Sequence, residues 1–461
     1  MKYYSTRGRE FSVSFENVVL NGLASDGGLY VPEKFPVLNK KEISSLRDLN
    51  YAELAFQVTK YFIGDSIPLN KYERICKNTY DNFSSKKIID LTKISENEFI
   101  LNLHNGPTYA FKDFALQLLG NIYQYFLRKD KKKLTILGAT SGDTGSAAIY
   151  GCSKSKWIKI FILFPYKKVS EIQRKQMTTV NRSNVYNIAV KGDFDKCQSL
   201  VKTIFQRNEI GKSLNLAAIN SINWVRIMGQ IVYYFWAYYQ TCKKGEKIIF
   251  SVPTGNFGNV YAGFVAKLMG LPIKKLVVSS NSNDVLTRFF ESGYMEKKKT
   301  KVTLSPSMDI QVSSNFERLI NFYLKGNNKK LKNLYASLEK TGKFKISKSL
   351  LKDVLSDFYG GKVNNKTTEN VIKTIYNDHN IVVDPHTAVG IKVGREYNIK
   401  NDKIIFLATA HHAKFLETVK KSINKDLVLP ADLKNLMNKK EIYNIINDDT
   451  NELENFLLKN S

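Results

Sequence analysis

The chain has 461 residues, 43% of them hydrophobic, enough for two or three domains around a large core. Its longest apolar runs, over 231–239 and 158–164, fall short of the ~18 residues of a membrane span, and the opening Met-Lys-Tyr-Tyr-Ser-Thr-Arg lacks the apolar stretch of a secretory signal. Four widely spaced cysteines (76, 152, 197, 242) argue against a zinc site or disulfide framework and for a reducing cytoplasm, while the formal charge of +28 is scattered through a Lys-, Asn- and Ile-rich chain, the mark of AT-rich coding rather than of a nucleic-acid footprint.

Residues 1–95 mix short apolar segments with turn signals and read as an N-terminal segment. From 96 the chain alternates strand, loop and helix: a strand over 99–103, a helix over 113–127, a short buried strand over 134–137, and a Gly-rich loop over 138–145 opening a small-residue helix. A strand follows over 157–164, then a helix over 224–240 whose stripe Trp224, Ile227, Ile231, Phe235 and Tyr238 reads as core rather than as a base-stacking platform. Strands over 247–252, 275–279 and 403–408 complete an α/β pattern with mainly parallel sheet. The organisation expected is a smaller α/β half over 96–220, a larger one over 221–461, a Lys-rich peripheral helical insertion at 325–375, and polar helices after 420.

Five segments carry chemistry. In Gly106-Pro107-Thr108-Tyr109-Ala110-Phe111-Lys112-Asp113-Phe114 a lysine stands at the mouth of a predicted helix. Helix N-termini are partly positive, so Asp113 fits the first turn and Lys112 does not. That field disfavours the ammonium form and tips Lys112 towards an amine nucleophile; the plain alternative is a solvated lysine. The loop Gly138-Ala139-Thr140-Ser141-Gly142-Asp143-Thr144-Gly145 offers backbone donors and hydroxyls to a carboxylate or ring substituent, or else caps its helix through Ser141 or Asp143. Pro253-Thr254-Gly255-Asn256-Phe257-Gly258-Asn259 lies between a buried strand and a helix, where converging N–H groups make a phosphate cradle, or an ordinary βα turn with a capping Asn. It is neither G-x-G-x-x-G nor a P-loop. Asn220-Ser221-Ile222-Asn223-Trp224-Val225-Arg226 suits a substrate phosphate or a helix cap. Thr409 follows a buried strand, at the sheet end where α/β folds bind ligands. A lysine, a phosphate cradle and no metal or nicotinamide motif suggest pyridoxal 5′-phosphate.

On these segments, with Tyr3-Tyr4-Ser5-Thr6-Arg7-Gly8, the stretch over 22–32 and Ser305-Pro306-Ser307-Met308-Asp309-Ile310, the chain resembles the threonine synthase family of the longer microbial and fungal type. The resemblance implies a fold-type-II pyridoxal-phosphate enzyme, tryptophan synthase β-like, with two open, mainly parallel α/β domains. It implies a carbon–oxygen lyase acting on phosphates, which converts O-phospho-L-homoserine and water to L-threonine and phosphate, the last step of threonine biosynthesis. Lys112 would form the internal aldimine and act as base at Cα. Gly255, Asn256, Phe257, Gly258 and Asn259 would hold the cofactor phosphate, Thr409 the pyridine nitrogen, and Asp143 would lie beside the 3′-oxygen. Ser141 and Thr144 would meet the substrate carboxylate; Asn220, Ser221, Asn223 and Arg226 its phosphate. The resemblance brings a small-molecule partner, no nucleic acid or membrane, and a monomer or homodimer.

The pattern expects His-Gly-Pro-Thr before the lysine and His-Pro-Ala-Lys-Phe near the C-terminus; Asn105 and His412 depart from it. Two rival functions are a phosphohomoserine lyase or threonine dehydratase yielding 2-oxobutyrate, and a basic nucleic-acid-binding protein on the same scaffold.

Overall fold

The computed structural model describes residues 1–81, 83, 87–207 and 214–461. An N-terminal antiparallel pair joins β1 (Tyr3–Ser5) to β2 (Tyr30–Pro32). Next come β3 (Asp90–Lys93), β4 (Glu98–Asn102), β5 (Leu134–Ala139), β6 (Ile158–Pro165), β7 (Val185–Val190) and β8 (Leu216–Ala218). The chain continues through β9 (Ile248–Pro253), β10 (Ile273–Ser280), β11 (Tyr294–Glu296), β12 (Lys343–Lys345), β13 (Phe358–Lys362), β14 (Ile404–Ala408) and β15 (Asn444–Ile446).

Two large sheets form the frame. One has six strands in the order β13-β10-β9-β14-β4-β3, parallel except for the antiparallel β3–β4 edge. The other has five in the order β15-β7-β6-β5-β8, all parallel. Every residue of β9 (IIFSVP) and β14 (IIFLA) is buried, the signature of central parallel strands covered on both faces.

The helix Trp224–Thr241 packs against the helices Lys112–Asp130, Gly258–Leu268 and Tyr51–Thr59. Its expected stripe is core: Trp224, Ile227, Ile231 and Phe235 are wholly buried. Lys112–Asp130 also crosses the helix Asp143–Cys152 at a pair of glycines. A Cβ added at Gly151 would lie 2.6 Å from the Leu116 carbonyl oxygen, so the crossing tolerates no side chain there.

Three placements differ from the linear division. The strand expected at the start of the smaller half is β4, and it pairs with β14 in the larger sheet. The C-terminal β15 returns to the edge of the smaller sheet, against β7. The stretch 325–375 holds the helices Asn328–Thr341 and Lys348–Asp357, yet it also supplies β13, registered on β10 from Leu276↔Phe358 onwards. Phe358 is buried among Phe257, Phe264 and Phe290. The insertion is therefore part of the sheet, because this apolar strand has an open parallel edge to fill.

Candidate active site

The carboxyl ends of β5, β9 and β14 face a single cleft between the two sheets, where open α/β folds bind ligands. Its cavity measures about 290 Å³. Three helices begin at its wall, Lys112–Asp130, Asp143–Cys152 and Gly258–Leu268, and in none does the N-cap residue's own side chain close the first turn. The leading N–H groups of Gly258–Leu268 are left for a ligand, whereas Gly145 N donates to Thr140 Oγ1 at 2.9 Å and Asp113 N to the Ala110 carbonyl oxygen at 3.0 Å. The capping alternative for Ser141 and Asp143 is thereby set aside, since the N-cap is Gly142, at φ +133°.

Lys112 is aimed by the turn before it. Asp113 accepts hydrogen bonds from Thr108 N (2.8 Å), Thr108 Oγ1 (2.8 Å) and Gln117 Nε2 (3.2 Å), and so ties the Gly-Pro-Thr turn to the helix. Phe111 N donates to the Thr409 carbonyl oxygen at 2.9 Å, joining the helix start to the end of β14. Asp113 is thus a buried clamp rather than a solvated partner of the helix dipole; burial pushes its carboxyl up to about 6 despite the Thr108 bonds.

Lys112 Nζ lies 3.1 Å from Asp143 Oδ2. Burial pushes the Lys112 ammonium below its usual range, Asp143 pulls it up, and Lys414 and Arg226 push it down again. Burial would raise the Asp143 carboxyl, but Lys112 and Lys414 outweigh that and hold it well below the usual carboxylate range.

The loop after β9 owes its shape to two residues. Gly255 permits close approach, since a Cβ there would stand 2.6 Å from the Ser307 carbonyl oxygen. Phe257 takes the left-handed conformation (φ +62°), a strained state for a bulky residue, and its ring is buried edge-on against Phe316 at 5.1 Å. The aromatic packing holds the backbone where a glycine was to be expected. Asn259 Oδ1 accepts from Tyr233 OH (2.6 Å) and Tyr234 OH (2.8 Å), which leaves Asn259 Nδ2 buried without a partner.

Arg226 is buried with a single hydrogen bond, from Nη1 to the Ile219 carbonyl oxygen at 3.2 Å, and its Nε has none. No carboxylate among the described residues pairs with it, and burial brings its guanidinium down to about 10. An unneutralised buried guanidinium is an anion receptor.

Of the expected residues, Lys112, Ser141, Asp143, Thr144, Asn220, Ser221, Arg226, Gly255, Asn256, Phe257, Gly258, Asn259 and Thr409 all line the cavity. Asn223 does not, and its expected substrate contact is corrected. Its Oδ1 caps the helix by accepting from Val225 N (3.1 Å), and its Nδ2 donates to the Val19 carbonyl oxygen (2.9 Å). Both polar ends are used inside the protein.

Several contributors were given no role by the sequence reading. Lys414 is fully buried, with Nζ 2.7 Å from Asp143 Oδ1, and Gln173 Nε2 donates to the same oxygen at 2.8 Å. Asn315 Nδ2 donates to the carbonyl oxygens of Asn256 (3.0 Å) and Ser221 (3.1 Å), binding the two anion-facing segments together. Arg318, also buried, bonds Asn315 and the carbonyl oxygens of Tyr30 and Ile222. The 305–310 segment forms one wall, with Ser307 N donating to His386 Nε2 at 3.3 Å. His104 lies behind the wall, edge-on to His411 at 5.0 Å, and burial lowers it to about 4. Asn105 serves the β3 turn by donating to Asp90 Oδ1 at 2.6 Å.

Residues 2–80 match the family described as threonine synthase N terminus, 88–409 that of the pyridoxal-phosphate dependent enzymes, and 387–457 that of threonine synthase, C-terminal. The threonine synthase of Pseudomonas aeruginosa is 43% identical over 460 residues, covering 99% of this chain and 98% of its own length. This chain belongs to the threonine synthase family. The PLP-bound threonine synthase of Brucella melitensis superposes with a TM-score of 0.97 at 41% identity, covering 100% of this chain and 99% of the other. The yeast threonine synthase superposes with a TM-score of 0.93 at 39% identity, covering 99% and 98%. The fold is accordingly that of a fold-type-II pyridoxal-phosphate enzyme. The site fits the cofactor on its own chemistry. A buried lysine, an uncapped helix start with an orphaned Asn259 Nδ2, and a hydroxyl at the end of β14 match its aldehyde, its phosphate and its ring nitrogen.

Proposed function

We propose that this member of the threonine synthase family converts O-phospho-L-homoserine and water to L-threonine and phosphate with pyridoxal phosphate. The observation that carries the reading is one cavity holding a buried lysine amine and a buried arginine that no carboxylate among the described residues neutralises. Lys112 would hold the cofactor covalently. The N–H groups of 255–259 would receive its phosphate, the Thr409 hydroxyl its ring nitrogen, and Asp143 would sit beside its 3′-oxygen. When bound, the cofactor supplies an electron sink in conjugation with the substrate's Cα.

The protein's own groups do the rest. Ser141 and Thr144, at the start of the helix Asp143–Cys152, would take the substrate carboxylate. Arg226, with Asn220 and Ser221, would take its phosphate and stabilise the dianion as it leaves Cγ. Lys112, once released, would remove the proton at Cα and later return it. Thr409 offers a hydroxyl rather than a carboxylate, so the ring nitrogen would not be kept protonated. Asn315, by fixing the Asn256 and Ser221 carbonyls, holds the two phosphate-facing segments in register.

The four cysteines are buried and unpaired, in keeping with a cytoplasmic enzyme acting as a monomer or homodimer. No helix among the described residues is long and apolar enough to cross a membrane. The test is product analysis. Purified protein with O-phospho-L-homoserine should release L-threonine and inorganic phosphate in equal amounts. Phosphate accompanied by 2-oxobutyrate would replace this reading with a lyase.

A further inference from the structure

Asp143 has more cationic partners than one carboxylate needs. Lys414 Nζ is 2.7 Å from Oδ1, Lys112 Nζ is 3.1 Å from Oδ2, and Gln173 Nε2 donates to Oδ1 at 2.8 Å. Lys414 is anchored from its other side, donating to the Thr108 carbonyl oxygen at 2.8 Å, and its side chain is completely buried. That carbonyl also accepts from Gln176 Nε2 at 3.1 Å, so the anchor is part of the turn that aims Lys112.

A lone lysine beside a buried carboxylate is trapped as ammonium, because losing its proton strands the carboxylate's charge in a poorly solvated place. A second, permanently buried cation removes the trap: the proton can leave Lys112 while Asp143 stays neutralised. The other charged groups around the amine do not substitute for Lys414. Arg226, on the helix Trp224–Thr241, repels the ammonium, and Asp113, next along the chain, is committed to Thr108 and Gln117.

We propose that Lys414 is a positioning residue that keeps Asp143 neutralised and in place while Lys112 gives up its proton and leaves the ion pair. This rests on the reading that Lys112 takes the cofactor. Attachment joins the unprotonated Lys112 nitrogen to the aldehyde carbon and releases one water; the ammonium form has no lone pair to offer.

Chain freed of cofactor is mixed with pyridoxal phosphate, and the visible absorbance of covalent attachment is followed against pH. In Lys414→Met the Lys112–Asp143 pair closes on itself. The pH midpoint for attachment rises by about one unit, and the rate at pH 7 falls about tenfold. In Lys414→Met/Asp143→Asn both charges are gone, and the midpoint returns to the parent's value or below it. Lys414→Gln, which keeps a donor for Thr108, behaves like Lys414→Met and takes its place should the latter fail to fold. An unchanged or lowered midpoint in the single variants overturns the proposal. So does a rise that the double variant does not reverse, which would assign the effect to packing. Lys112→Ala separates the two readings: attachment that survives this change defeats the role of Lys112 itself, whereas unchanged midpoints with a silent Lys112→Ala defeat only that of Lys414.

Discussion

Replacing Arg226 with methionine should stabilise the protein while disabling it. The guanidinium is 3% exposed and has no carboxylate to offset its charge among the described residues. Burial brings its pKa down from the usual arginine range to about 10, which at about 1.4 kcal/mol per pH unit means that keeping it charged costs the folded state about 3 kcal/mol at neutral pH. Against this stands the single bond to the Ile219 carbonyl oxygen, about 1 kcal/mol. Arg226→Met, of similar length and apolar, should therefore gain about 2 kcal/mol. For a chain of this size that is a rise in thermal midpoint of a few degrees at most, read more cleanly as a shifted urea midpoint at unchanged slope. If Arg226 receives the substrate phosphate as proposed, the same change removes charge-assisted bonds of about 1.5–3 kcal/mol each, so kcat/KM should fall at least about a hundredfold. Inorganic phosphate should protect the parent against urea and leave the variant unprotected. A less stable variant would refute the reasoning, because it would mean that the guanidinium is compensated where the structure shows it bare.

Three further outcomes test the assignments. Asn223→Ala should cost about 1–2 kcal/mol in stability through the lost cap, with KM for phosphohomoserine nearly unchanged; a large rise in KM would restore Asn223 to the substrate site. Gly151→Ala should cost about 1–3 kcal/mol by urea unfolding, since the added methyl meets the Leu116 carbonyl oxygen. His104 is held neutral, with its pKa lowered from 6.5 to about 4, so its contribution is present above pH 6.5 and is lost as pH falls from 6.5 through 4. The unfolding free energy of the parent, read by urea titration, should fall steeply across that window, by about 3 kcal/mol from this group, and His104→Gln should flatten the fall.

The chemistry was legible wherever a strand, a glycine-bearing loop and a helix followed one another within a dozen residues. That local grammar located Lys112, Ser141–Thr144 and the loop after β9 without any knowledge of long-range pairing. Asn223 was misplaced because the residue types that cap a helix also bind phosphate, and only burial against Val19 tells them apart. The left-handed conformation of Phe257 had no local signal, because it is held by rings at 316 and 358 that no local reading joins to it. Lys414 and Asn315 act across the fold, and their neighbours in sequence say nothing of Asp143 or Asn256. The division into halves failed at β4, β13 and β15 because parallel strands pair with distant partners, so a cut in the chain is not a cut in the sheet.

The return of β15 to the edge of β7 carries a consequence for synthesis. The strands β5 to β8 emerge from the ribosome early, yet β7 keeps an unpaired edge until residues 444–446 arrive. The smaller sheet, whose other strands are all made by residue 218, is thus sealed last. During the interval its exposed backbone is an opening for chaperones and for pairing with neighbouring nascent chains. A ribosome stalled before residue 440 would hold a chain whose smaller sheet is still open on one side.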